Sequence, residues 1–375
     1  MKVSREIQDL VPYKPGKPIG ETQREFGLSN VIKLGSNENN WGVSPRVVDA
    51  VRSALKEQFR YPDPTSYELL KVLSKTWGVS VTELGVGNGS NELIDLLIRI
   101  YCEPGDFILT SERAFLAYAV CAQAARVGRL FAPLKDSWRT DLKSIAQILR
   151  THSQKEKIRL VFLPNPNNPT GTYIRQDELK LFLDEFGNDP NRLIVFDEAY
   201  TEFVRATDYT SGMEWRLKYS NIVVLRTLSK AYGLAGFRVG VLCANTETVD
   251  YFNRVRNPFN VNDLAQVAAI AALQDHGHLR QSVQMVWDGL DYFYEELRKQ
   301  NIPFVESQGN FVMFDTQRDV QKVNHALLKR GVILRPILNY GFATHLRMSV
   351  GRPDENQMAI QALREVFQEI PKLEA

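Results

Sequence analysis

From about Gly87 to Cys243, short apolar runs alternate with stretches of helical character, and no other feature restricts the chain as much. Ile158 to Leu163, Leu193-Ile194-Val195-Phe196 and Asn221-Ile222-Val223-Val224-Leu225-Arg226 are brief and apolar, the last two rich in β-branched residues. Continuous rather than alternating hydrophobicity marks strands buried on both faces. Strands separated by helical segments pair in parallel, because the helix carries the chain back across the sheet. The expected class is therefore α/β, with a mostly parallel sheet flanked by helices.

Each of these runs hands over to polar residues at its end. Asn165-Pro166-Asn167-Asn168-Pro169-Thr170-Gly171 follows the first, and its prolines and asparagines end regular structure, offering Asn168 from a stiff loop. The second passes into Asp197-Glu198-Ala199-Tyr200, and the third into Leu228-Ser229-Lys230-Ala231-Tyr232-Gly233, with Arg238 eight positions beyond Lys230. Taken alone, Lys230 and Arg238 read as surface cations on a turn. In open α/β sheets, however, ligands collect outside the carboxyl ends of the strands, so the three clusters converge on one crevice. A lysine in a partly apolar cleft loses solvation of its charged form, which lowers its pKa and frees a nucleophilic amine.

Lysine for an aldehyde, a carboxylate for a protonated ring nitrogen and donors for a ring oxygen together suit pyridoxal phosphate. A phosphate site is expected from Val86-Gly87-Asn88-Gly89-Ser90-Asn91-Glu92, where small residues lead into the apolar helix beginning near Leu93. The free amides and dipole of such a helix start attract an anion. By itself Gly-x-Gly before a helix is more often an ordinary cap.

These segments resemble the fold-type-I pyridoxal-phosphate enzymes, and within them the histidinol-phosphate aminotransferase family. The narrower likeness lies in Pro12-Tyr13-Lys14-Pro15-Gly16-Lys17-Pro18, Leu34-Gly35-Ser36-Asn37-Glu38-Asn39, Tyr61-Pro62-Asp63-Pro64, Leu334-Arg335-Pro336 and Leu346-Arg347-Met348-Ser349-Val350-Gly351. The resemblance implies a Schiff-base lysine at Lys230, a ring-nitrogen partner at Asp197, and donors to the ring hydroxyl at Tyr200 and Asn168. It gives the phosphate to Ser90, Asn91, Ser229 and Arg238, and the stacking aromatic to Phe115. Tyr61 would reach the cofactor phosphate of a neighbouring subunit, so the active sites of a homodimer would be shared. Arg335 and Arg347, with Tyr13, would receive the phosphate of histidinol phosphate, and the arginines alternately a carboxylate of 2-oxoglutarate or glutamate. The planar fork of arginine suits both anions.

The chain departs from the family pattern in two places. Asn40-Trp41-Gly42-Val43-Ser44-Pro45 replaces a Pro-Leu-Gly-Pro-like turn and places Trp41 at the expected substrate entrance. Arg113-Ala114 stands where a Pro-Thr-like pair is common, which leaves the backbone before Phe115 less constrained. Three other functions stay open on the sequence: an aromatic amino acid aminotransferase, a threonine-phosphate-type decarboxylase, and a cofactor-sensing module without turnover. The short stretch ahead of the Tyr13 motif argues against the last, which usually resembles this body joined to a DNA-binding domain.

At 375 residues and 44% hydrophobic content the chain exceeds one simple domain. The expected division is an N-terminal arm with part of the small domain over 1–47, a large cofactor-binding domain over 48–258, and an interdomain helix with the small α+β domain over 259–375. Leu279, Val283, Val286, Leu290, Phe293 and Leu297 recur at helical spacing and predict that helix. A net charge of +2, with basic residues scattered among acids, gives no nucleic-acid surface. No uninterrupted run is long and apolar enough for a membrane span or signal segment, so the expected place is the cytoplasm. Cys102, Cys121 and Cys243 lack paired spacing, and the single His-x-His, His276 and His278, reads as loop polarity, so no disulfide or metal is assigned.

Overall fold

The computed structural model describes residues 2–12 and 16–373. The apolar runs form a seven-stranded sheet of β1 (Leu84–Asn88), β2 (Phe107–Ser111), β3 (Gly128–Ala132), β4 (Ile158–Pro164), β5 (Leu193–Asp197), β6 (Ile222–Thr227) and β7 (Val239–Cys243). Their order is β1-β7-β6-β5-β4-β2-β3; β7 runs antiparallel to both neighbours and the remaining pairs are parallel.

Successive side chains point to opposite faces, and both faces are covered. On one, Phe162, Val195, Val223 and Leu225 pack with Leu93, Ile94 and Leu97 of α1 (Ser90–Tyr101) and Tyr118 of α2 (Ala117–Ala124). On the other, Val161, Leu163, Ile194, Phe196 and Val224 meet Leu179, Phe182 and Leu183 of the helix Gln176–Phe186. Each fully buried side chain of this kind contributes roughly 1.5–3 kcal/mol, which fixes the strand ends that carry the polar residues. The register aligns Pro164, Asp197 and Leu225 across β4, β5 and β6. The ladder continues past the strands, since Asn165 N–H donates to Asp197 O and Glu198 N–H to Leu225 O.

A second sheet is antiparallel, with β8 (Phe304–Val305), β9 (Phe311–Asp315), β10 (Arg335–Pro336) and β11 (His345–Ser349) in the order β10-β11-β9-β8. It sets Arg335 directly opposite Arg347. The N-terminal segment is drawn to this side: Ile32–Lys33 pairs in parallel with Val332–Ile333, and Ser349 N–H donates to Leu34 O at 2.7 Å.

The expected long helix is α3 (His276–Lys299), capped by Asp275, which accepts from His278 N–H. Val286, Leu290, Phe293 and Leu297 of its stripe are buried. Trp287 Nε1 donates to Phe203 O beyond β5, while Gly289 lies against Val350 and Asn356, the latter in α4 (Pro353–Glu369). The helix thus touches structure attached to both sheets. The 47/48 division falls inside the helix Pro45–Ala54. No helix among the described residues is long and apolar enough to cross a membrane.

Candidate active site

The ends of β4, β5 and β6 and the start of α1 open on a cavity of about 460 Å³, closed on its far side by the second sheet. Its lining brings together Ser90, Asn91, Phe115, Asn168, Asp197, Tyr200, Ser229, Lys230, Arg238, Arg335 and Arg347. Residues separated by more than 250 positions meet here because the strand ends and the β10–β11 pair face each other.

Asp197 ends β5 at 5% exposure. Its Oδ2 accepts from Tyr118 Oη at 2.6 Å, while Oδ1 is buried with no hydrogen-bond partner among the described residues. An orphaned buried carboxylate oxygen is costly unless a ligand donor completes it. Burial raises the Asp197 pKa and the Tyr118 bond opposes the shift. Lys230 follows β6, its Nζ 5.7 Å from the Tyr200 ring centre. Burial, helped by the charges of Arg347 and Arg238, pushes its amine down to about 8. Tyr200 accepts from Asn37 Nδ2 at 2.9 Å, and burial pushes its phenol up to about 12, so it stays a neutral donor.

Opposite this group lies an anion cradle. Gly89 precedes α1 with φ +79, a conformation that favours glycine, and the Arg238 guanidinium lies in the space a Cβ would take. A Cβ on Gly240 would stand 2.5 Å from Gly89 C and from Ser90 N. Ser90 and Asn91 offer the first amides of α1, and Ser229, whose Oγ accepts from Thr227 Oγ1, sits beside them in the cavity wall. On the second-sheet side, Arg347 donates from Nη1 to Asn168 Oδ1 at 2.5 Å and from Nη2 to Gly35 O at 2.9 Å. Asn168 is therefore oriented by an arginine as well as by its loop.

One sequence expectation is corrected. Trp41 does not stand at the mouth of this cavity; it lines a separate groove with Met285, Gly289 and Tyr292. The loop is pulled that way because Asn39 Nδ2 donates to Ser282 Oγ and Ala231 O, and Asn40 Nδ2 to Glu355. Arg113, at φ +57, places its guanidinium 4.7 Å from the Trp138 ring centre and 4.3 Å from that of Phe342. Phe115 nevertheless lines the cavity, edge-on to Tyr118 at 5.9 Å.

Tyr61 is not brought into the cavity of its own chain. It is 83% exposed and stacks on Phe259 at 4.7 Å. Tyr13 lies outside the described residues. The described start of the arm rests on its own chain, where Gln123 Nε2 of α2 donates to Glu6 O. Among the described residues no group of three or more His, Cys, Asp or Glu could hold a metal ion. Sequence reasoning missed Tyr118 and Asn37 as partners of Asp197 and Tyr200; Asn37 was inside a quoted motif, whereas Tyr118 carried no polar signal within an apolar helix.

Residues 29–363 match the family model described as Aminotransferase class I and II. The chain belongs to that family. Within it, the chain is 58% identical to a histidinol-phosphate aminotransferase of Bdellovibrio bacteriovorus across 100% of both chains. It is 42% identical to a histidinol-phosphate aminotransferase 2 of Hydrogenovibrio crunogenus over 98% of this chain and 96% of that one. Among solved structures, the histidinol-phosphate aminotransferase of Sinorhizobium meliloti in complex with pyridoxal-5'-phosphate superposes with a TM-score of 0.87, at 26% identity and 98% coverage of each chain. Aspartate aminotransferase of Thermus thermophilus with maleate shares the fold at a TM-score of 0.81, 20% identity, and 98% and 100% coverage. This aminotransferase thus has the α/β sheet expected from its strand pattern and the fold-type-I architecture implied by the resemblance of its motifs.

Proposed function

We propose that this aminotransferase moves an amino group between L-histidinol phosphate and 2-oxoglutarate, giving imidazole acetol phosphate and glutamate, as a step of histidine biosynthesis. Pyridoxal 5'-phosphate is its cofactor. The observation that carries the chemistry is the cavity's arrangement of an amine, a buried carboxylate with an open oxygen, and an anion cradle. Full-length identity to relatives of that name supports the substrate.

The residues fit the cofactor. In this reading Asp197 Oδ1 takes the ring N–H it lacks, Tyr200 and Asn168 donate to the ring oxygen, and Phe115 stacks on the ring. Ser90, Asn91, Ser229 and Arg238 hold the phosphate. When bound, pyridoxal phosphate supplies an aldehyde that carries the amino group and a ring that accepts electron density from the substrate carbon. Lys230 would do the proton work: an amine pushed down to about 8 is present in charged and neutral forms near neutrality, so Nζ can take the proton from the carbon of the amine donor in one half of the exchange and give one to the carbon of the oxo acid in the other. Arg335 and Arg347 bind the substrate phosphate and, in the return half, a carboxylate of the oxo acid, with Tyr13 assisting at the phosphate.

The same proposal includes a cytoplasmic homodimer. Tyr61 is exposed on its own chain and stacks on Phe259, a position from which it would complete a neighbouring subunit's phosphate site. It also includes the division into residues 1–47, 48–258 and 259–375, supported by the separate sheets and by α3 between them.

The test compares kcat/KM for histidinol phosphate and for phenylalanine with 2-oxoglutarate as acceptor. A preference for histidinol phosphate supports the proposal; a preference for phenylalanine assigns the cavity to an aromatic amino acid aminotransferase. Carbon dioxide release without an oxo acid would assign a decarboxylase.

A further inference from the structure

Among the described residues lining the active-site cavity, two are carboxylates, Asp197 and Glu38. Asp197 lies at the buried end and belongs to the cofactor ring. Glu38 stands in the wall that also carries Lys33, Arg335 and Arg347, and its charge reaches Lys230, whose amine it pulls upward against burial. A site for phosphate and carboxylate substrates gains nothing from a second negative charge unless part of the substrate needs an acceptor.

The segment around Glu38 is held firmly. Asn310, fully buried, donates from Nδ2 to the carbonyls of Asn37 and Glu38, both at 3.2 Å. Asn37, at φ +52, donates its N–H to Ser349 Oγ at 2.9 Å and its amide to Tyr200. Asn39 is tied to Ser282 and Ala231. Glu38 is thus anchored on both sides by β11, α3 and the Tyr200 loop. Its Oε1 accepts from Lys33 Nζ at 2.9 Å, which orients the carboxylate. That bond uses one oxygen and leaves acceptor capacity on the other.

We infer that Glu38 determines specificity by accepting the ring N–H of the substrate imidazole. The inference rests on the histidinol-phosphate reading above. Imidazole offers one N–H when neutral and two when protonated, whereas a phenyl ring offers none. A carboxylate accepts and cannot donate, so the contact favours imidazole, whereas an aromatic hydrocarbon ring leaves the second oxygen of the Lys33-paired carboxylate without a donor. Lys33 acts through Glu38 as a positioning residue. The arginines bind the anionic end that imidazole and phenyl substrates share; Glu38 distinguishes the ring.

The experiment uses the cofactor-loaded enzyme with histidinol phosphate and with its phenyl analogue, 2-amino-3-phenylpropyl phosphate, which has the same amine and phosphate. Wild type, Glu38→Gln and Glu38→Ala are compared by loss of the visible cofactor band in single turnovers. Removing a charge-assisted bond is expected to lower kcat/KM for histidinol phosphate by roughly ten- to a hundredfold in Glu38→Ala, with Glu38→Gln in between because its amide oxygen still accepts. The phenyl analogue should be used as well as by wild type, or better. Equal losses on both compounds would assign Glu38 a structural role and overturn the inference, as would no loss on either. If wild type ignores histidinol phosphate, the functional reading and the inference fall together; if wild type uses it and Glu38→Ala does too, only the inference falls.

Discussion

Replacing Tyr118 with phenylalanine removes one hydroxyl and little else. The ring stacks on Phe162 at 4.6 Å and is fully buried, so phenylalanine keeps the packing and the cavity shape. What disappears is the 2.6 Å bond to Asp197 Oδ2. A hydrogen bond to a buried carboxylate contributes about 1.5–3 kcal/mol, which corresponds to about one to two pKa units on the group it stabilises. Burial already raises the Asp197 pKa and Tyr118 opposes that shift, so the variant's carboxyl must rise further. A raised carboxyl pKa means that the ionised form is lost at higher pH. Cofactor binding through ionised Asp197 should therefore weaken on acidification one to two pH units earlier than in wild type. Titration of the apoprotein with pyridoxal phosphate at a series of pH values, read by fluorescence quenching, gives the acid limb directly. Coincident limbs for Tyr118→Phe and wild type would refute the assignment of Tyr118 as the support of Asp197.

Three further outcomes follow from the geometry. Only the neutral amine of Lys230 attacks an aldehyde, so covalent attachment of cofactor to apoprotein should accelerate with pH and reach half its maximum near 8, while a midpoint near the ordinary 10.5 would contradict the buried amine; Lys230→Ala should bind cofactor without turnover. Arg113→Met keeps the aliphatic stem but loses the stacking on Trp138 and Phe342, and urea unfolding should show a loss of about 1–2 kcal/mol; unchanged stability would mean the stacking is idle. If Tyr61 acts in the neighbouring subunit, refolding a mixture of inactive Lys230→Ala and Tyr61→Ala chains should restore about a quarter of wild-type activity, whereas a site complete within one chain would restore none.

The sheet was legible because β4, β5 and β6 are continuous apolar runs, and such runs have few alternatives to burial on both faces. The cavity residues at their ends were legible for the same reason, since strand ends converge wherever the sheet goes. The second layer was not. Tyr118 sits among alanines in α2 and reads as core; its hydroxyl matters because the helix lies over β5, a tertiary fact. Arg113 looked like the loss of a stiffening proline, and its guanidinium contacts with Trp138 and Phe342, distant in sequence, were not legible. Trp41 was expected at the entrance from its place beside Glu38 and Asn39; the hydrogen bonds of Asn39 and Asn40 to α3, Ala231 and α4 turn it into another groove. In each case the missing information was a long-range contact rather than a local preference.

The most direct measurement of the central claim is a half-reaction. The purified cofactor-loaded protein is mixed with histidinol phosphate alone, and the visible band of the lysine-bound cofactor is followed in time. The account predicts that the band is lost as the cofactor takes up the amino group, and that 2-oxoglutarate restores it. A band that persists with histidinol phosphate but is lost with phenylalanine would contradict the substrate assignment, and a protein that shows no such band after loading would contradict the roles given to Lys230 and Asp197.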